Sequence, residues 1–421
     1  MSITKQGLIL GATALTVSSV AMTGIGLHYS QTQAFVQDSP KEIIDEVWQV
    51  INRSFVDATF NGQDWRGIRT EFLEKEYSDQ DQAYEAVREM LKRLEDPYTR
   101  FMTPEEFKNM QIDTSGELTG VGIQITQEEE TKNIVVISPI EDTPAFEAGI
   151  IAQDVILKID GKSTEGMDLN DAVSLIRGKP GTDVVLTIER EGKEMEFTLT
   201  RATIEIHPVK ARVIDNPSLG KVGYIRLVQF SSNAGKEMRE AITMAEKENV
   251  SGYILDLRSN PGGLLYSSVE ISRMWIDSGR IVTTVDRVGE VDAHRANGSA
   301  LTDKPLVVLV DGGSASASEI LSGALQDHER AIIVGTQTFG KGLVQSVRGL
   351  GDGSGLAVTI AKYLTPDGRD INKEGITPDE VYEMSEAEKE VLMNDRQKVG
   401  TIDDAQFRKA LEILTREVAK K

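Results

Sequence analysis

The 421-residue chain contains no cysteine, which excludes disulfides, thiolate metal sites and cysteine nucleophiles together. Histidine is nearly as scarce. His28, His207, His294 and His328 are the whole supply, too few for a His-rich metal cluster. Aromatic residues make up 5% of the chain, little material for base-stacking platforms. Positive charge is also short. Lys and Arg number 46 against 67 Asp and Glu, a net charge of −21. Such a surface repels phosphates and argues against nucleic acid as a partner. What is present is the balance of an ordinary soluble protein, 39% apolar and 27% charged. At about 150 residues per domain the length predicts two to three domains.

The N-terminus departs from that balance. Residues 7–27 carry no charge, are rich in Leu, Ile, Val, Ala and Gly, and follow Lys5. This is a segment of secretory type. About 20 apolar residues are also long enough to span a bilayer. Thr32-Gln33-Ala34 offers a small-residue cleavage site. Residues 1–34 are therefore set apart as a signal peptide or a membrane anchor. Either puts the rest of the chain outside the cytoplasm, with membrane contact through residues 7–27.

Residues 35–112 read as a helical domain. Ile43, Ile44, Val47, Trp48 and Ile51 recur at helical spacing, as do Ala83, Val87, Met90, Leu91 and Leu94 before Pro97. Thr103-Pro104-Glu105-Glu106 reads as an N-cap with proline at the first helical position. Residues 113–203 alternate as short strands around one helix, Leu169 to Ile176, and end in a hairpin turning at Glu191-Gly192-Lys193. Residues 204–384 repeat strand, turn and helix, which predicts an α/β core with its sites at the strand C-terminal ends. Residues 385–421 form a charged helical segment striped by Phe407, Leu411 and Leu414.

Two turns in the α/β segment carry candidate chemistry. Asp311 to Glu319 follows an apolar strand and opens a helix, so a serine there meets the N–H groups of a helix start, where an oxyanion is stabilised. Ser316-x-x-Glu319 also fits a capping box, the plain structural alternative. A serine nucleophile needs a base. His28 lies in the leader, and the other histidines sit in connecting segments or on a solvated helix end. A desolvated lysine is the alternative, and Lys341 in Phe339-Gly340-Lys341-Gly342 is the candidate. Arg258-Ser259-Asn260-Pro261-Gly262-Gly263 also ends a strand, and its glycines can expose N–H groups to the same oxyanion.

One decoy is set aside. Gly335 to Lys341 fits the first seven positions of a phosphate-binding loop, but residue 342 is glycine rather than Ser or Thr. Leu343 to Val347 alternates like a strand where that loop demands a helix.

Taken together, these segments resemble the carboxyl-terminal processing (tail-specific) serine proteases with a PDZ domain. The match runs over nearly the whole chain after the leader. It rests on Gly313-Ser314-Ala315-Ser316-Ala317-Ser318-Glu319, then Gly340-Lys341-Gly342, then Gln345. Leu257 to Gly263 and Thr377-Pro378-Asp379 add to it. Asn61-Gly62-Gln63-Asp64-Trp65 is similar to the cyanobacterial and plastid branch, where several paralogues coexist. The fold implied is mixed α/β, with a helical N-terminal domain, a PDZ β-barrel-like domain, an α/β protease core of crotonase-like type and a C-terminal helical tail.

The resemblance also implies roles. Ser316 is the nucleophile, Lys341 the general base, Gln345 the residue orienting the lysine, and Glu319 an auxiliary polar residue. The N–H of Ala317, with that of Gly262 or Gly263, forms the oxyanion hole. Leu118, Gly120, Val121, Gly122 and Ile123 bind the substrate C-terminus in the PDZ unit, and Arg177 gates the site. No cofactor or metal is required. The expected activity is that of an exported serine endopeptidase, in a periplasm or thylakoid lumen, which recognises free protein C-termini and cleaves upstream of them. Two rivals stand beside it: a PDZ adaptor with a vestigial core, and a hydrolase of small acyl substrates.

Overall fold

Apolar residues at helical spacing give the N-terminal part three helices, Pro40–Ser54, Trp65–Glu74 and Gln80–Lys92. Their buried stripes, including Ile44, Val47, Ile51, Phe72, Val87 and Met90, close on one another. A computed structural model describes residues 39–420 except 116, 129, 130, 141, 206 and 290, and Pro40–Lys421 is one compact unit. The expected leader and cleavage site lie outside the described residues. No helix among the described residues is long and apolar enough to cross a membrane.

The half that follows the β-rich unit is built on a six-stranded sheet in the order 209–216, 220–227, 252–256, 306–310, 332–335 and 380–381. The first two strands are antiparallel and the remaining pairs are parallel. Gly252–Asp256 and Leu306–Val310 are buried along their whole length, as strands covered on both faces must be. Helices Ala234–Lys247, Leu265–Arg273 and Ala317–Asp327 cover one face. Helix Ala405–Val418 covers the other, with Phe407, Ala410, Ile413 and Leu414 packed on Tyr224, Ile254, Val307 and Leu309. The charged stripe of the C-terminal segment is thus the outer face of a helix whose inner face belongs to the core.

A second sheet is antiparallel. Gly355–Leu364 is its axis, flanked by Leu343–Gly349 on one side and by Arg100–Met102 and Arg280–Asp286 on the other. Arg100–Met102 is only three residues long, too short for any periodicity to reveal it. It brings the helical domain onto this sheet, since Phe101, Leu356 and Val358 share one core with the N-terminal helices.

Residues 117–205 form the β-rich unit around its own core of Val121, Ile134, Ile156, Leu186 and Ile188. Its sheet runs 123–127, 134–139, 155–159, 183–190, 193–200, which leaves Ile123–Gln127 on the edge. Glu117–Gly120 pairs with Ala202–Glu205 and ties the unit's two ends together.

Candidate active site

The strand Leu306–Val310 ends in a turn whose small residues are pinned from behind. The Ser314 hydroxyl donates to Leu257 O at 2.8 Å, and the Ser318 hydroxyl and Ala315 N–H donate to Asn260 O at 2.9 and 3.0 Å. Ser316 then enters the helix Ala317–Asp327 with φ 56° and ψ −111°. A non-glycine residue held there costs about 1–3 kcal/mol, so the surroundings must over-determine it. The capping-box pattern puts the Glu319 carboxylate on the Ser316 N–H, at 2.8 Å. The same arrangement forms at Thr103, at 3.2 and 2.7 Å.

Glu319 is fully buried and, among the described residues, accepts from backbone N–H groups and a hydroxyl. Oε2 takes the N–H groups of Ser316 (2.8 Å) and Lys341 (2.9 Å). Oε1 takes the Gly340 N–H (2.7 Å) and the Thr338 hydroxyl (2.6 Å). One carboxylate therefore locks the backbones of the two candidate catalytic residues together.

Ser316, Ala317, Lys341, Gln345 and Tyr363 line one cavity of about 340 Å³, together with Arg100 and Thr114. Pro261, Leu264, Leu265, Ile320, Leu343 and Val344 give it apolar walls. The Ser316 hydroxyl and the Lys341 amine share this cavity without a direct hydrogen bond between them. The lysine amine lies over the Tyr98 ring, 5.0 Å from its centroid. Burial lowers its pKa from the ordinary lysine value, Arg100 lowers it further, and Asp96 and Glu319 oppose them. The Gln345 Nε2 is buried here with no hydrogen-bond partner.

The Gly262–Gly263 turn closes against the Ala315–Ala317 segment. A Cβ on Gly262, whose φ is +100°, would lie 2.9 Å from Ala317 N and 2.7 Å from Ala315 O. One on Gly263 would lie 2.3 Å from Phe230 O. The two glycines differ in their donors. The Gly262 N–H is taken by the Asn260 side chain at 2.9 Å, whereas Gly263 lines the cavity beside Ala317.

The histidines lie elsewhere. His207 pairs with Glu237 at 2.8 Å, His328 bonds Arg280 O at 2.6 Å, and His294 stands against the Tyr266 ring. None of the three lines the cavity. The phosphate-loop decoy is resolved as the sequence argued, because a strand, Leu343–Gly349, follows Lys341. Asp379 of the Thr-Pro-Asp segment holds the Ile333 N–H at 2.8 Å and the Gln326 amide at 2.8 Å, a structural clasp.

In the β-rich unit, Val121 O accepts the Ala145 N–H and Gly122 O accepts the Ile140 N–H, at 2.9 and 2.8 Å. These bonds shape the loop that leads into the edge strand at Ile123. Leu118 and Gly120 lie on the strand before it. Arg177 lies outside the Ser316 cavity. Its stem comes within 4.0 Å of where a Gly120 Cβ would sit, and its guanidinium donates to Asn109 of helix Pro104–Ser115. That helix also carries Thr114 into the cavity. Sequence reasoning missed Tyr98, Arg100, Thr114 and Tyr363. The signal in each case is three-dimensional, since nothing local marks them.

The model of peptidase family S41 matches residues 221–382, and a PDZ-domain model matches residues 120–200. A carboxyl-terminal-processing protease of Synechocystis sp. is 45% identical, covering 92% of this chain and 89% of its own length. A chloroplastic carboxyl-terminal-processing peptidase of Arabidopsis thaliana is 43% identical, covering 79% of this chain and 67% of its own. Among solved structures, a photosystem II D1 C-terminal processing protease is 39% identical with a TM-score of 0.56, covering 82% of this chain and 93% of that one. The chain therefore belongs to the carboxyl-terminal-processing proteases of peptidase family S41, serine-type peptidases with a PDZ domain that act on protein substrates.

Proposed function

We propose that this peptidase cuts protein tails with a Ser316–Lys341 dyad. The observation that carries the reading is the single cavity where a strained serine at a helix mouth meets a desolvated lysine. The neutral Lys341 amine takes the Ser316 hydroxyl proton as Oγ bonds to the scissile carbonyl carbon. The N–H groups of Ala317 and Gly263 receive the oxyanion; Gly262 serves instead by fitting where a Cβ cannot. Collapse expels the amine, which takes the proton back from Lys341, and water then releases the acyl group. The orphaned Gln345 amide orients the lysine or the substrate from the cavity wall.

The edge strand Ile123–Gln127 supports capture of a substrate tail as an added strand, with its terminal carboxylate at the Gly120–Gly122 loop. An arriving carboxylate would compete with Asn109 for Arg177, and helix Pro104–Ser115 links that event to Thr114 in the cavity. In this reading Arg177 is the gate. Residues 7–27 direct export, to a periplasm or thylakoid lumen, as signal or anchor.

The test is turnover of one peptide with a free C-terminus and of its amidated twin, by the wild type, Ser316→Ala and Lys341→Ala. The dyad requires both variants to be inactive. Turnover by either overturns it, and equal cleavage of the two peptides overturns tail recognition.

A further inference from the structure

We propose that Tyr363 is a positioning residue of the same reaction, its hydroxyl bridging the Ser316 side chain and the backbone carbonyl of Lys341. The inference rests on the dyad reading and deepens it. Tyr363 lies near the end of strand Gly355–Leu364, is 3% exposed, and lines the cavity with Ser316, Lys341 and Gln345. Its N–H donates to Gly342 O at 3.0 Å and its hydroxyl donates to Lys341 O. The Ser316 side chain lines the same cavity beside this hydroxyl and acts to lower its pKa. A phenol has one proton to give. With that proton on the carbonyl, the phenol oxygen accepts from Ser316.

Burial, with Glu319 and Tyr98 reinforcing it, pushes the Tyr363 pKa far up, while the Ser316 side chain lowers it only in part. The phenol therefore stays protonated and is not the base. Glu319 couples the backbones of Ser316 and Lys341, and Tyr363 couples the side chain of one to the carbonyl of the other. In the resting site the Ser316 proton points at the phenol. While that proton passes to the Lys341 amine, the phenol O–H turns from the Lys341 carbonyl and donates to the charge developing on Oγ; as Oγ bonds to the carbonyl carbon and the π bond breaks, that charge moves to the carbonyl oxygen, where the Ala317 and Gly263 N–H groups receive it. Tyr363 keeps its own proton, and no further reactant enters.

Two variants test this in the peptide assay. Tyr363→Phe keeps the ring and loses the bridge. The expected result is a fall in kcat of about 10- to 100-fold with KM changed by less than about threefold. Site-specific 3-fluorotyrosine at position 363 keeps the shape and strengthens the donor, and kcat is expected to rise about twofold or more. Wild-type kcat in folded Tyr363→Phe overturns the inference. So does a fluorotyrosine enzyme with unchanged or lower kcat, and this second arm stands even where the Phe variant fails to fold. Ser316→Ala and Lys341→Ala run alongside. Turnover by either sinks the dyad itself; two dead dyad variants beside wild-type Tyr363 variants sink only the bridge.

Discussion

Glu319 and Asp256 are both fully buried carboxylates behind the reaction centre, and they are held by opposite means. Glu319 is cradled by three backbone N–H groups and a hydroxyl. Asp256 shares the Arg258 guanidinium with Asp404, at 2.6 and 2.7 Å, and accepts the Tyr224 hydroxyl at 2.8 Å. Asp404 in turn caps the C-terminal helix at Phe407. The amide cradle spans Ser316 and Lys341 and sets the spacing of their backbones. The ion pair spans 146 residues of chain and anchors a distant helix at the root of the Ser259–Gly263 loop. A carboxylate held by amides fixes positions; one held by a guanidinium fixes topology.

That contrast predicts different failures. The largest loss is expected for Glu319→Gln, whose amide nitrogen would face N–H donors. Turnover per folded molecule should fall about 100-fold, the penalty for a misplacement of about 1 Å. Arg258→Met should instead act on stability. Leaving Asp256 and Asp404 unpaired costs roughly 3–5 kcal/mol in denaturant unfolding, with turnover per folded molecule reduced far less than in Glu319→Gln. Equal losses of turnover in the two variants would break the comparison.

Gly262→Ala sharpens it at the point where the two loops touch. Its methyl would meet Ala315 O at 2.7 Å and the Ser316 Cβ at 2.9 Å. About 1–3 kcal/mol of stability should go, and turnover should fall with KM little changed. The smallest effect concerns pH. Burial and then Arg100 depress the Lys341 pKa, so activity should rise with pH through that depressed value. Arg100→Gln removes one depressing influence, raises the lysine pKa, and should move the rising limb of the pH–rate profile to higher pH. The unfolded chain binds this proton more tightly than the folded one, so stability attributable to Lys341 also rises with pH between the folded and the ordinary lysine values. An unmoved limb would detach Arg100 from the lysine.

Much of this was legible along the chain because its physics is local. The sequence pattern marked the helix Leu169–Ile176 and the apolar stripe Ile43–Ile51 that lies on Pro40–Ser54. The continuous apolar run at Leu306–Val310 announced a strand covered on both faces. Glycine and small residues marked the turns at Gly262 and Ser316, since close approach of two backbones demands them. The antiparallel sheet was read only at Leu343–Val347. Its partners Arg100–Met102 and Arg280–Asp286 are defined by pairing rather than by their own pattern.

Sequence alone therefore determined the family resemblance, the order of the units, and which serine and lysine to consider, because residue type and spacing carry that information. Tertiary structure alone decided that Tyr98, Arg100 and Tyr363 surround the lysine. It alone distinguished the Gly262 donor from that of Gly263, and turned a charged C-terminal segment into a core layer. Desolvation and hydrogen-bond partnership depend on what lies nearby in space, and residues more than 200 positions apart become neighbours only when the chain is folded.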